Sequence, residues 1–177
     1  SGTCNNTSCA SSTVTVNTFS TAPTSISGTN TICSGSSTTL TVNGGFLGSG
    51  DSVEWFTDSC GGTPAGTGNS ITVSPITTTT YFARYTGPCS TTSCASVTVT
   101  VNSLSIAPTN ISGTTTICSG DSTTLNKIGG FAGTGATEEW FSDSCGGTYL
   151  GTGNSINITP VSTTNYFVRY SGTCNTT

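Results

Sequence analysis

Apolar and polar residues alternate along most of this chain in short bursts. TTLTVN at 38–43, SITVS at 70–74 and ASVTVTVN at 95–102 put Leu40, Val42, Ile71, Val73, Val97, Val99 and Val101 on one side of their strands. Between Gly, Pro, Asn and Asp turns, the pattern predicts strands over Thr24–Ser27, Thr38–Asn43, Ser52–Thr57, Pro64–Gly66, Ser70–Ser74, Thr79–Tyr85 and Ala95–Asn102, with Trp55 as an inward anchor. Seven short strands in this order predict an all-β sandwich of immunoglobulin type.

The pattern then recurs. Cys33, Trp55, Cys60, Tyr85 and Cys89 return as Cys118, Trp140, Cys145, Tyr170 and Cys174, each 85 residues later, and Cys4, Cys9 and Val14 return as Cys89, Cys94 and Val99. A period this long is one small domain per repeat. The expected organisation is two tandem immunoglobulin-like sandwiches: an N-terminal segment 1–17 that copies the last strand (G in immunoglobulin lettering), a first domain over 18–102, and a second over 103–177 that lacks its own strand G. Lys127 in place of Val42 predicts that the inward parity slips in the second copy.

A missing strand leaves an unpaired, aggregation-prone edge. The segment carrying Ser8, Val14 and Val16 is chemically the strand that the second domain lacks, so one copy of the chain is expected to donate it to another. Head-to-tail donation does not close on itself and generates a filament. The alternative is a longer tandem-repeat polypeptide cut at an arbitrary phase, in which no exchange occurs. Residues 171–177, SGTCNTT, nearly restate residues 1–7, SGTCNNT, and both readings give a linear array of repeats.

Composition narrows the function classes. Serine and threonine exceed a third of the chain and charged residues are 6%, which suits half-buried β surfaces. Arg84, Lys127 and Arg169 are the three cations against a net charge of −4, so there is no basic stripe for nucleic acid. The sequence carries no apolar run for membrane insertion and no leader, and is expected to be a processed product or an excerpt. Without histidine it lacks the usual base for a Ser or Cys nucleophile and any Cys/His zinc set. Asp58 and Asp143 suit turns, while Glu54 with Arg84 and Glu139 with Arg169 suit cross-strand ion pairs. Asp51 becomes Ala136 in the second copy, which leaves a calcium site short of ligands. The glycine-rich GGFLGSG and GGFAGTG lack the lysine and spacing of phosphate loops and are expected to be flexible connections. No enzyme, cofactor or metal is expected.

Nine cysteines in small domains predict a disulfide framework made in an oxidising compartment, outside the cell or on its surface. Placing the cysteines at sandwich ends predicts Cys33–Cys60, Cys118–Cys145 and Cys89–Cys94; the rival Cys33–Cys89 fits worse because Cys33 precedes its strand and Cys89 lies four residues past Tyr85. Two outcomes stay open for the remainder: Cys4–Cys9 within the chain with Cys174 free, or Cys174 bonded to Cys9 of a neighbouring copy. Ser52 and Ser122, in DSV and DST, resemble the O-glycosylation sequence used by Bacteroidota. Phe46, Trp55, Phe56, Tyr81, Phe82 and Tyr85 recur in the second copy, which suits a repeated core better than one sugar-binding platform; Tyr149 has no aromatic counterpart.

The order of ICSGSSTTLTV, WFTDSCGGTPAGTGNSITVSPITTTTYFARY and CSTTSCASVTVTV resembles the immunoglobulin-like tandem repeats of large secreted surface and adhesin proteins of Bacteroidota. The resemblance covers both repeats and implies stalks or fibres, exported with a separate sorting domain, and no catalytic residues. The expected function is a structural subunit of an extracellular filament whose partners are copies of itself. The competing function is an adhesin stalk, or a module binding surface glycans or a host protein.

Overall fold

The computed structural model describes Cys4 and residues 9–177; Ser8, assigned above to the donor strand, lies outside the described residues. All regular elements in the described residues are strands: β1 (Ser25–Ser27), β2 (Thr31–Cys33), β3 (Thr38–Asn43), β4 (Ser52–Thr57), β5 (Thr63–Thr67), β6 (Ser70–Val73), β7 (Thr79–Thr86) and β8 (Ala95–Asn102) in the first repeat. The second has β9 (Asn110–Ser112), β10 (Thr123–Ile128), β11 (Thr137–Ser142), β12 (Thr148–Thr152), β13 (Ser155–Ile158) and β14 (Tyr166–Ser171). Two compact units result. One gathers the segment ending at Ser27 with Thr41–Ile71 and Tyr81–Val97, and the other gathers Gly28–Leu40, Thr72–Thr80 and Thr98–Thr177.

In the first repeat a three-stranded sheet, β1-β3-β6, accompanies a five-stranded sheet, β2-β8-β7-β4-β5. Inward residues of β3, β4, β7 and β8 supply the core: Leu40, Trp55, Ala83 and Val99 are fully buried, while Ile71, Val73, Val97 and Val101 are half-buried. Trp55 also donates its indole N–H to Gly68 O at 2.8 Å, so its one polar atom is satisfied. The second repeat has β9-β10-β13 and β12-β11-β14, with Trp140 bonded to Gly153 O in the same way at 2.7 Å.

The structure adds a strand that alternation does not reveal. β2 pairs in parallel with β8, Thr31 with Thr100 and Cys33 with Asn102. Two other expectations change. Lys127 keeps the inward register of Val42, pairing with Ile111; its ammonium reaches Gly129 O at 3.0 Å and Glu138 at 3.4 Å while lying 5.2 Å from the Tyr170 ring centre. The stem stays inward and its charge meets Glu138 on β11 and the Tyr170 ring on β14, so parity does not slip. Phe46 and Phe131 are exposed rather than core: their backbones bridge to Thr21 and Ile106, which pins the glycine-rich connections and leaves the rings outside.

The disulfides also differ from the expected pairs. Cys33 bonds Cys174, and Cys60 bonds Cys94. Cys33–Cys60, Cys89–Cys94, Cys118–Cys145 and both open outcomes, Cys174 to a neighbour's Cys9 and Cys4–Cys9 with Cys174 free, are therefore corrected, and Cys4, Cys9, Cys89, Cys118 and Cys145 are thiols. The reason is the turn after β4. Asp58 takes a left-handed backbone, φ 69°, and the turn folds back over the outer face of the sheet until Gly61 approaches the Arg84 guanidinium; a Cβ there would lie 3.1 Å from Nη1. Cys60 thus reaches the residue preceding β8 instead of staying at the sandwich end.

Candidate functional site

The two repeats differ most where β8 stands. In the first, β8 lies between β2 and β7, and Val99, Ala95, Ile32 and Tyr81 are buried around it. In the second, no described strand holds that position. β14 is correspondingly shorter than β7, six residues against eight, and no described strand corresponds to β2, because a parallel edge strand needs the partner it pairs with.

An open groove of about 760 Å³ remains there, lined by Ile111, Ile117, Leu125, Ile158, Val161 and Tyr166 among others. Ile117 and Tyr166 are half-buried, whereas their counterparts Ile32 and Tyr81 are 8% and 6% exposed. The groove mixes Ile, Leu and Val side chains with Ser, Thr and Asn, and lies beside β14, the last strand of its sheet, which pairs only with β11. Its chemistry suits an extended peptide with small apolar residues at alternate positions.

Residues 9–17, CASSTVTVN, match β8 and its preceding cysteine, CASVTVTVN, at eight of nine positions. In this structure they lie outside any strand, with Val14 83% and Val16 84% exposed, although Val99 at the equivalent place is 0% exposed. Two valines left in water at this spacing are costly unless something covers them.

The cysteines cluster around the same features. Cys174 Sγ lies 4.0 Å from Asn102 O, next to the Cys33 that Asn102 pairs with. Cys89 Sγ lies 4.0 Å from Asn17 O, the same relation one repeat earlier. Asn175 helps to fix the last loop, accepting from Ser105 N at 2.8 Å and donating to Ser105 O at 2.9 Å. The first repeat uses Asp51, Ser20 and Ser90 for this purpose: both hydroxyls donate to Asp51 Oδ2. Asp51 therefore anchors a loop, and no group of three or more His, Cys, Asp or Glu capable of holding a metal ion occurs among the described residues.

A family model described as "Ig-like domain CHU_C associated" matches residues 20–102 and again residues 106–177. The chain belongs to this family. No curated protein matches it. Among solved structures, the crystal structure of murine CEACAM1b is similar, with a TM-score of 0.50 and 18% identity over 86% of this chain and 94% of that one. At that identity the likeness speaks for the fold alone, an immunoglobulin-like all-β architecture.

Other candidate residues of the CHU_C-associated Ig-like repeats fall on their surfaces. Ser52 opens β4 and Ser122 precedes β10, both exposed. Tyr149 is 57% exposed and meets Phe141 edge-on at 5.9 Å. The expected ion pairs form: Arg84 to Glu54 and Arg169 to Glu139, each at 3.0 Å, with the guanidinium groups stacked 4.8 and 4.6 Å from the Phe56 and Phe141 ring centres. No helix among the described residues is long and apolar enough to cross a membrane.

Proposed function

We propose that the chain is a structural subunit of an extracellular or cell-surface fibre, assembled head to tail by strand complementation. Residues 9–17 of one copy enter the groove of the second repeat of the next, taking the place that β8 holds in the first repeat. The observation that carries this reading is the pairing of an unfilled groove beside β14 with an exposed segment that matches, at eight of nine positions, the strand filling the equivalent place in the first repeat. Each copy has one donor and one acceptor, so association propagates in one direction and builds a filament. The disulfides suit an oxidising exterior.

The test is assembly of the chain against Val14→Ser/Val16→Ser, followed by sedimentation and electron microscopy under reducing conditions. Full burial of a valine is worth about 1.5–3 kcal/mol; Val14 takes the place of fully buried Val99 and Val16 that of half-buried Val101, so losing both weakens each junction by about 2–4 kcal/mol, about 30-fold or more. Excess synthetic peptide 9–17 caps the acceptor and shortens filaments. Equal assembly by the variant, or a native chain that stays monomeric at all concentrations, refutes strand donation. The competing reading as a binding module draws on Tyr149, whose counterpart in the first repeat is Pro64; a glycan-array signal lost in Tyr149→Ala would favour it.

A further inference from the structure

We infer that each junction between copies is sealed by two disulfides: Cys145 to Cys9 of the partner subunit, and Cys118 to Cys89 of the partner subunit. The inference rests on strand donation and adds the covalent chemistry of that contact.

The internal bridges supply the template. Cys60, held over the sheet by the turn after β4, bonds Cys94, the residue immediately before β8. Cys145 is held the same way: Asp143 has φ 71°, and a Cβ on Gly146 would lie 3.1 Å from Arg169 Nη1. Its partner must precede whatever strand fills the groove. In residues 9–17 that position is Cys9.

The second pair follows from the other end of the strand. Cys33 stands opposite Asn102 in the β2–β8 ladder, and Cys174 lies 4.0 Å from the same Asn102 carbonyl; the Cα atoms of the bridge are 5.5 Å apart. A donated strand carries Asn17 in place of Asn102, and Cys89 of the donor already lies 4.0 Å from Asn17 O. Insertion in the β8 register therefore brings that thiol to Cys118, the counterpart of Cys33. Both acceptor cysteines and both donor cysteines are exposed thiols in the single chain.

This pairing accounts for the odd cysteine count. Two internal bridges use four thiols and each copy gives two and receives two at its junctions, which leaves Cys4. Cys4 is the sequence equivalent of Cys174, whose place at the junction the acceptor's own Cys174 occupies. Formation of each bridge removes two protons and two electrons from a pair of thiols. The acceptor of those electrons is a low-molecular-weight disulfide in the surrounding medium, which is reduced to two thiols while the new S–S bond forms by exchange.

The experiment assembles a mixture of isotopically labelled and unlabelled chain in a glutathione redox buffer, blocks residual thiols by alkylation, and maps linked peptides. The expected result is Cys9–Cys145 and Cys89–Cys118 peptides containing one labelled and one unlabelled half, and a detergent-resistant ladder that reductant collapses to single chains. Cys9→Ser/Cys89→Ser should assemble into the same filaments yet run entirely as single chains in detergent without reductant. Filaments whose four cysteines stay alkylated, or are linked in other pairs, overturn this inference and leave strand donation standing. Absence of filaments from both the native chain and the variant overturns strand donation itself.

Discussion

Removing the Cys33–Cys174 bridge is the sharpest test of the covalent framework. Its sequence separation is 141 residues, against 34 for Cys60–Cys94. In the chain-entropy description a loop this long restricts the unfolded chain by about 5 kcal/mol, and the shorter one by about 4 kcal/mol. The two are compared in a background where Cys4, Cys9, Cys89, Cys118 and Cys145 are serine, so that only the tested bridge varies and copies do not cross-link. Urea unfolding is followed by the fluorescence of Trp55 and Trp140. Cys33→Ser/Cys174→Ser should lose about 1 kcal/mol more than Cys60→Ser/Cys94→Ser, with a steeper denaturant dependence because the unfolded chain expands further. A loss below about 1 kcal/mol, or a smaller loss than that of the short bridge, would refute the pairing or show that the closed loop does not unfold as one unit.

Two further outcomes follow from the side chains. The pKa of Lys127 lies above the usual lysine value, chiefly through the Tyr170 side chain beside it, with Glu138 adding and burial opposing. A raised folded value means its contribution is complete below the unfolded pKa of about 10.4 and is lost as pH rises through the folded one; the stability gap between the native chain and Lys127→Val should therefore change above that pH in the direction of the native chain weakening, and a gap that is flat with pH contradicts the assignment. Arg84→Ala removes an ion pair and a stacked cation above Phe56, and should cost about 1–1.5 kcal/mol in thermal or urea unfolding, less at high salt; no loss would mean that the pair is only a surface contact.

Much of the sandwich was legible because its strands alternate cleanly. β3, β4 and β8 begin and end where the pattern places them, and Trp55 fills the core as expected. β2 was not legible: TIC is three residues long and pairs in parallel with a strand nearly seventy residues further on, so no local periodicity marks it. The disulfides failed for a related reason. Cysteines assigned to sandwich ends ignore that the DSCGG turn, bent at Asp58, covers the outer face. Nor can one repeat considered alone reveal that Cys33 finds its partner in the next. The period itself held the signal for the open groove, since the same nine-residue pattern occurs before the first repeat and at its end.

The Cys33–Cys174 bond also sets how the chain responds to force. Tension applied at the two ends enters at residue 33 and leaves at residue 174 through a single S–S bond, bypassing everything between. Only residues 1–33 and 174–177 lie outside the closed loop, so even a fully denatured chain pulled taut spans about 125 Å at ~3.4 Å per residue, against about 600 Å with the bond reduced. For a single chain held at its ends the bond acts as a mechanical shunt: the protein between the cysteines bears little of the load until that sulfur bond breaks.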